Sequence, residues 1–185
     1  MNLPNILTLG RIIMIPLMVI CFYWLGEDGK LWAAFLFWLA GVTDWFDGYL
    51  ARKLNQSTPL GAFLDPVADK LIVSVALVLL VEQYHSVWLT IPATIIIGRE
   101  IVISALREWM AELGKRASVA VSYVGKVKTF LQMSAIFFLM AGGLHKAVEV
   151  IGWISLFAAA ILTIWSMFVY LRAAWPALRG KQGAA

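Results

Sequence analysis

The chain of 185 residues contains one cysteine, Cys21, and two histidines, His85 and His145. A single cysteine excludes an internal disulfide and a cysteine-ligated zinc site, and leaves Cys21 as a small apolar filler. Charge is also scarce. Asp, Glu, Lys and Arg make up 14% of the residues, against about 25% in an average soluble domain. The sequence has no internal repeat, no Pro/Gly/Ser-rich linker and no low-complexity tract, so it reads as one domain over residues 1–185. Fifteen basic residues against eleven acidic ones give a net charge of +4. That is too thin a surplus for the clustered basic face of a nucleic-acid binder, and no nucleic-acid partner is expected. Apolar matter is abundant instead: 62% of residues are hydrophobic, with nine Trp and ten Phe, and the mean hydropathy is +0.83. A water-soluble fold of this size leaves too much surface wet to hide that content. The composition excludes an ordinary soluble domain, a disordered chain and a fibrous repeat, and makes lipid the solvent.

A transmembrane helix needs about 20 predominantly apolar residues. Six stretches qualify or nearly so: Thr8–Leu25, Leu31–Ala51, Leu64–Val81, Val87–Leu106, Lys126–Leu144 and Val150–Leu171. The expected fold class is therefore all-α, a polytopic six-helix membrane bundle. The first stretch lacks a basic start and a small-residue cleavage site, so it reads as a mature helix rather than a signal peptide. If the spans alternate in direction, Arg11, the Asp44/Asp47 pair, the Asp65/Asp69 pair, Arg99 with Glu100, Lys126 with Lys128, and Arg172 all fall on one side. So do both termini. That side holds 13 of the 15 basic residues, all but Lys30 and Lys146, and the positive-inside rule makes it cytoplasmic. The opposite loops are short and hold Glu27, Asp28, Glu82 and Glu149 with both histidines. Neither histidine has a partner at ligand spacing, and both read as wet loop residues. Trp24, Trp32, Trp88 and Trp153 fall near the outer edge and Trp45, Trp109 and Trp175 near the inner one, where aromatic belts form.

Four aspartates at the inner edge are harder to explain by structure alone, because a carboxylate within a membrane span costs about 2.5–3.5 kcal/mol on insertion scales. Asp44 and Asp47 are three apart, and Asp65 and Asp69 four apart, so each pair shares a helix face. The short segment Arg52–Phe63 brings the two pairs together. Facing carboxylates repel unless something positive lies between them. Hard divalent cations suit an all-oxygen site, and paired cations suit displacement at phosphorus. Gly48, Ala51 and Gly61 keep the surrounding wall low enough for a bulky ligand, although small residues also serve close helix packing.

The segment reads Asp44-x2-Asp47-Gly48-x2-Ala51-Arg52-x8-Gly61-x3-Asp65-x3-Asp69. It resembles the signature of the CDP-alcohol phosphatidyltransferases without departure. Eight fixed residues would coincide by chance on the order of once in 10¹⁰ start positions at average composition. The stretches Asn5–Ile12, Val42–Arg52, Gly61–Lys70, Arg99–Arg116 and Val124–Thr129 extend the likeness, and resemble the bacterial branch of that family acting on glycerol 3-phosphate.

The resemblance implies transfer of the phosphatidyl group of CDP-diacylglycerol to sn-glycerol 3-phosphate, with CMP leaving. It implies two divalent cations, Mg²⁺ or Mn²⁺, a homodimer, and a multi-pass place in the bacterial inner (cytoplasmic) membrane with the site facing the cytoplasm. Carried over by position, Asp44, Asp47, Asp65 and Asp69 are the expected metal ligands, with Asp69 also the general base. Gly48, Ala51, Arg52 and Gly61 are the expected wall around CDP. The acceptor carries a phosphate of its own, for which Arg99, Arg107, Lys126 and Lys128 are the candidates. Asn5, Thr8 and Arg11 form a polar stripe beside the site on the first helix, where ligand contact and helix anchoring are both open readings. Lys115, Arg116, Arg179 and Lys181 read as anchors to anionic lipid. Three rival readings stand beside this one: the same chemistry on another alcohol such as serine or inositol phosphate, a small cation transporter using the aspartates, and a non-catalytic assembly protein. The last two fit poorly with nearly uncharged outer halves of the spans and with an intact eight-residue motif.

Overall fold

The structure, a computed structural model, describes residues 3–54, 59–112, 123–143 and 145–178. Among these, six α-helices match the six expected spans one for one: α1 (Leu3–Trp24), α2 (Gly29–Leu54), α3 (Pro59–Tyr84), α4 (Val87–Glu112), α5 (Tyr123–Met140) and α6 (Lys146–Leu178). A single 3₁₀ turn, Gly26–Asp28, joins α1 to α2, and Gly26 takes the positive φ of +66° that this reversal requires. Prolines 16, 66 and 92 lie inside α1, α3 and α4, as membrane helices tolerate when neighbours re-satisfy the freed backbone groups.

Among the described residues, three helices, α1, α4 and α6, are long and apolar enough to cross a membrane. The charged and polar residues on α2, α3 and α5 hold those helices below the same measure. The fifth helix stops short of its expected end, at Met140, and residues 141–143 form a turn. Hydropathy continues through Ala141–Leu144, but the consecutive glycines Gly142 and Gly143 are poor helix formers and good terminators.

The helices alternate in direction. At one end, the start of α1 meets the end of α2 and the start of α3 through Arg11, Asp44 and Asp65. At the other end, Tyr23 of α1 donates to Glu82 of α3, and the Tyr84 hydroxyl donates to the Leu139 carbonyl at 3.1 Å. The core between these ends is built of aliphatic and small side chains, among them Met18, Ala33, Ala34, Phe37, Ala76, Leu77, Leu80, Ile136, Leu139 and Leu156. Small residues let the helix backbones approach closely. At Gly152 on α6 an added Cβ would lie 2.8 Å from Leu139 Cγ on α5, so this crossing needs glycine.

The segment expected to bring the ends of α2 and α3 together includes residues outside those described; among the described residues, α1 packs closely against both helices. The first helix therefore serves as the wedge between the two aspartate-bearing helices. His85 and His145 are exposed in the connections at the far end, and Trp24, Trp32, Trp88 and Trp175 are exposed near the helix ends.

Candidate active site

Two groups of polar side chains meet at the end of the bundle that carries the aspartates. The first is built on α1, α2 and α3. Arg11 is almost wholly buried, 2% exposed, and its guanidinium pairs with Asp44 through Nη1 and with Asp65 through Nη2, the latter at 3.6 Å. Both carboxylates remain half exposed, at 50%. Thr8, one turn earlier on the same face of α1, donates its hydroxyl to Asp65 Oδ1 at 2.5 Å. Beside the ligand contact and helix anchoring expected of the α1 stripe, Thr8 and Arg11 take a third role and hold the aspartate carboxylates. Asn5 is buried on the same face. The positive group that facing carboxylates demand is, in the protein itself, the Arg11 fork, whose planar geometry can serve two acceptors at once.

The oxygen donors of Asp44 and Asp65 converge on one guanidinium and still reach solvent. Two carboxylates supply part of the all-oxygen set that a hard divalent cation takes, and no third acid or histidine joins them among the described residues. Gly61, at the start of α3, is buried. The backbones of Asp47, Gly48, Ala51 and Arg52 continue α2, but their side chains lie outside the described residues, as do Lys115, Arg116, Arg179 and Lys181.

The second group lies on α3, α4, α5 and α6 and encloses a cavity of about 230 Å³. That is below the roughly 300–1,000 Å³ of drug-sized ligand sites and on the scale of a small polar molecule. Asp69 opens onto it, one turn beyond Asp65 on α3, so the two groups share an edge. Lys70, Arg99, Arg107 and Lys128 line it against only two carboxylates, Asp69 and Glu100, and the cavity carries excess positive charge. Lys128 is buried and donates to Glu100 Oε1 at 2.7 Å; Arg99 donates to the same oxygen at 2.9 Å and to Ser166 Oγ at 3.3 Å. One carboxylate thus holds two cations that would otherwise be unpaired in an apolar span, where an uncompensated charge is costly.

Tyr170 joins the two arginines. The Arg107 guanidinium lies 5.0 Å from its ring centre and donates to its hydroxyl at 2.7 Å, and the Arg99 guanidinium lies 5.7 Å from the same ring. Both distances are in the range of cation–π attraction.

Of the four cations expected at an acceptor phosphate, Arg99, Arg107 and Lys128 line the cavity and Lys126 does not. Lys126 is exposed. The expectation that Lys126 and Lys128 face one cavity is corrected by helix geometry, since residues two apart point to different faces. Lys70, Glu100, Gln132, Ser166 and Tyr170 line the cavity without having been expected there. Glu100 had a readable signal, a lone acid within an apolar span beside Arg99. Gln132 had another, its place one turn after Lys128 on the same face. The Lys70 ammonium donates to Ser104 of α4. Ser166 and Tyr170 carry no charge and gave none.

Residues 1–165 match the family described as CDP-alcohol phosphatidyltransferase. The chain belongs to the CDP-alcohol phosphatidyltransferase family. Curated relatives span nearly its whole length. The chain is 58% identical over 173 residues, 94% of each chain, to the CDP-diacylglycerol–glycerol-3-phosphate 3-phosphatidyltransferase of Pectobacterium atrosepticum. It is 57% identical, again over 94% of each chain, to the protein of that name from Shigella flexneri. The Yersinia pestis protein of the same name is 55% identical over 175 residues, 95% of this chain and 96% of its own length. As a member of this family, the chain carries the family signature on the two helices that Arg11 bridges, and the cation-lined cavity opens beside its last aspartate.

Proposed function

We propose that this phosphatidyltransferase moves the phosphatidyl group of CDP-diacylglycerol to glycerol 3-phosphate, giving phosphatidylglycerophosphate and CMP. The observation that carries this reading is the position of Asp69, at once the last residue of the signature and a wall of the cavity holding Lys70, Arg99, Arg107 and Lys128. An acceptor with its own phosphate needs such cations, and the reacting hydroxyl needs a base beside them.

The reaction balances in one displacement. The acceptor oxygen bonds to the β-phosphorus of CDP-diacylglycerol, the anhydride bond to CMP breaks, CMP departs with that electron pair, and the hydroxyl proton passes to Asp69. Asp44, Asp47, Asp65 and Asp69 would hold Mg²⁺ or Mn²⁺, which neutralise pyrophosphate charge and stabilise the leaving group. Thr8 and Arg11 fix the Asp65 and Asp44 carboxylates in place, while Gly48, Ala51, Arg52 and Gly61 form the low wall along which the nucleotide lies. Arg99, Arg107 and Lys128 take the acceptor phosphate. All six helices cross the membrane, both termini face the cytoplasm with the site, and the protein works as a homodimer in the bacterial inner membrane. Charge asymmetry between the ends supports the orientation, and the family resemblance supports the dimer.

The test is to incubate purified protein with CDP-diacylglycerol and Mg²⁺ alongside a panel of glycerol 3-phosphate, serine and inositol phosphate, following CMP and the lipid formed. CMP release with glycerol 3-phosphate alone, abolished by excess chelator, is the expected result. Equal or greater release with another acceptor, or full activity in chelator, would overturn the acceptor or the metal reading respectively.

A further inference from the structure

The charged residues of the cavity account for the acceptor's phosphate, but glycerol 3-phosphate also has two hydroxyls. The terminal one, the less hindered, attacks; the secondary one is left over. That hydroxyl needs a hydrogen-bond partner, and the charged side chains of the cavity are already engaged, Lys70 with Ser104, Arg99 and Lys128 with Glu100, and Arg107 with Tyr170. Thr129 donates its hydroxyl to the Gly125 carbonyl at 3.0 Å. Ser166 donates to the Thr163 carbonyl at 2.9 Å and accepts from Arg99. The Tyr170 hydroxyl accepts from Arg107. Val73 and Met133 are apolar.

Gln132 is different. It lies one turn beyond Lys128 on the same face of α5, is 5% exposed, and lines the cavity. Its carbonyl oxygen, Oε1, is buried and has no hydrogen-bond partner among the described residues. Leaving a buried polar group unmatched is unfavourable, and such a group gains most when a ligand supplies the missing partner. An amide carries an acceptor at one end and donors at the other, so it can either accept from a hydroxyl or donate to it.

We infer that Gln132 is the residue that recognises the non-reacting secondary hydroxyl of the acceptor, and so selects a vicinal diol phosphate over a simple hydroxyalkyl phosphate. This rests on the glycerol 3-phosphate reading above. A site built to hydrogen-bond a substrate hydroxyl discriminates against the analogue that lacks it, because its own polar group is then unpaired.

The experiment compares kcat/KM for glycerol 3-phosphate and for 3-hydroxypropyl phosphate, which lacks only the secondary hydroxyl, using purified full-length protein, CDP-diacylglycerol and Mg²⁺. The wild type prefers glycerol 3-phosphate by about tenfold or more, the worth of one well-placed hydrogen bond. Gln132→Leu and Gln132→Met lose that preference by slowing reaction with glycerol 3-phosphate while leaving the deoxy analogue within about twofold. Reaction with the analogue also shows that each variant is folded. A preference that survives in either variant, or an equal loss with both acceptors in both variants, overturns the inference and makes Gln132 a packing residue. No CMP release by the wild type with glycerol 3-phosphate would instead remove the parent reading, and this inference with it.

Discussion

Arg11 faces two carboxylates that stay half in water while it is itself buried. Taking a guanidinium out of water is costly unless its fork is matched, and here Asp44, Asp65 and the geometry of α1 match it. Removing that charge leaves two carboxylates opposed with nothing between them. Arg11→Gln is expected to lower stability by about 1–2 kcal/mol, less than the 3–5 of a fully buried pair because both acids reach water. Arg11→Lys keeps the charge but cannot span both acids, and is expected to fall between. Thermal unfolding in detergent checks this: a midpoint lowered by several degrees in Arg11→Gln, and by less in Arg11→Lys. Equal midpoints in all three proteins would show that the bridge contributes nothing. The spacing of Asn5, Thr8 and Arg11 made the stripe legible in the sequence, because a helix period needs only local information. Which acids the stripe would reach was not legible. That depends on α1 packing against both α2 and α3, a contact between residues 33 and more positions apart.

At the scale of elements, α6 shows where reading by charge runs out. Its apolar stretch Val150–Leu171 has no charged side chain, and reading by charge gives it only a lipid-facing character. Yet Ser166 and Tyr170, four apart and so on one face, hold Arg99 and Arg107 in the cavity. Charge was a good guide to costly residues in an apolar span and no guide to the uncharged partners that make the cost bearable. Serine and tyrosine within such a run are otherwise ordinary. Tyr170 does two separable things: its ring attracts both guanidinium groups and its hydroxyl accepts from Arg107. Tyr170→Phe keeps the ring and is expected to raise KM for glycerol 3-phosphate by about two- to fivefold. Tyr170→Leu removes both and is expected to raise it by about tenfold. KM for CDP-diacylglycerol should stay within about twofold in each, because no step of nucleotide binding uses this ring. Steady-state kinetics with each substrate varied in turn decides it: a parallel rise in both KM values would make Tyr170 a general support of α6 and remove its assignment to the arginine clamp. The premature end of α5 at Met140 belongs to the same scale, since glycine pairs stop a helix where hydropathy alone runs on.

For the whole molecule, the scarcity of charge has a direction. Arg11, Asp44, Asp65, Asp69, Arg99, Glu100, Arg107 and Lys128 gather at one end of the bundle, and the other end carries exposed tryptophans, two exposed histidines and short connections. The alternation of the six helices follows from that arrangement, because only alternating directions bring the start of α1, α3 and α5 to the end of α2, α4 and α6. The sequence predicted this alternation by counting charges. Site chemistry and apolar character compete along the chain, since the groups that make the site also make α2, α3 and α5 less apolar than α1, α4 and α6. Orientation in the membrane then rests on the basic excess at the site end. With Cys21 replaced by serine, a cysteine introduced at Asp28→Cys, exposed in the 3₁₀ turn, is expected to react with a membrane-impermeant maleimide in intact spheroplasts. One introduced at Arg172→Cys, exposed near the end of α6, should react only after permeabilisation. Labelling of the second position from outside, or protection of the first, would reverse the orientation. It would turn the proposed site for CDP-diacylglycerol and glycerol 3-phosphate away from the cytoplasm, where nucleotides and phosphorylated metabolites are found.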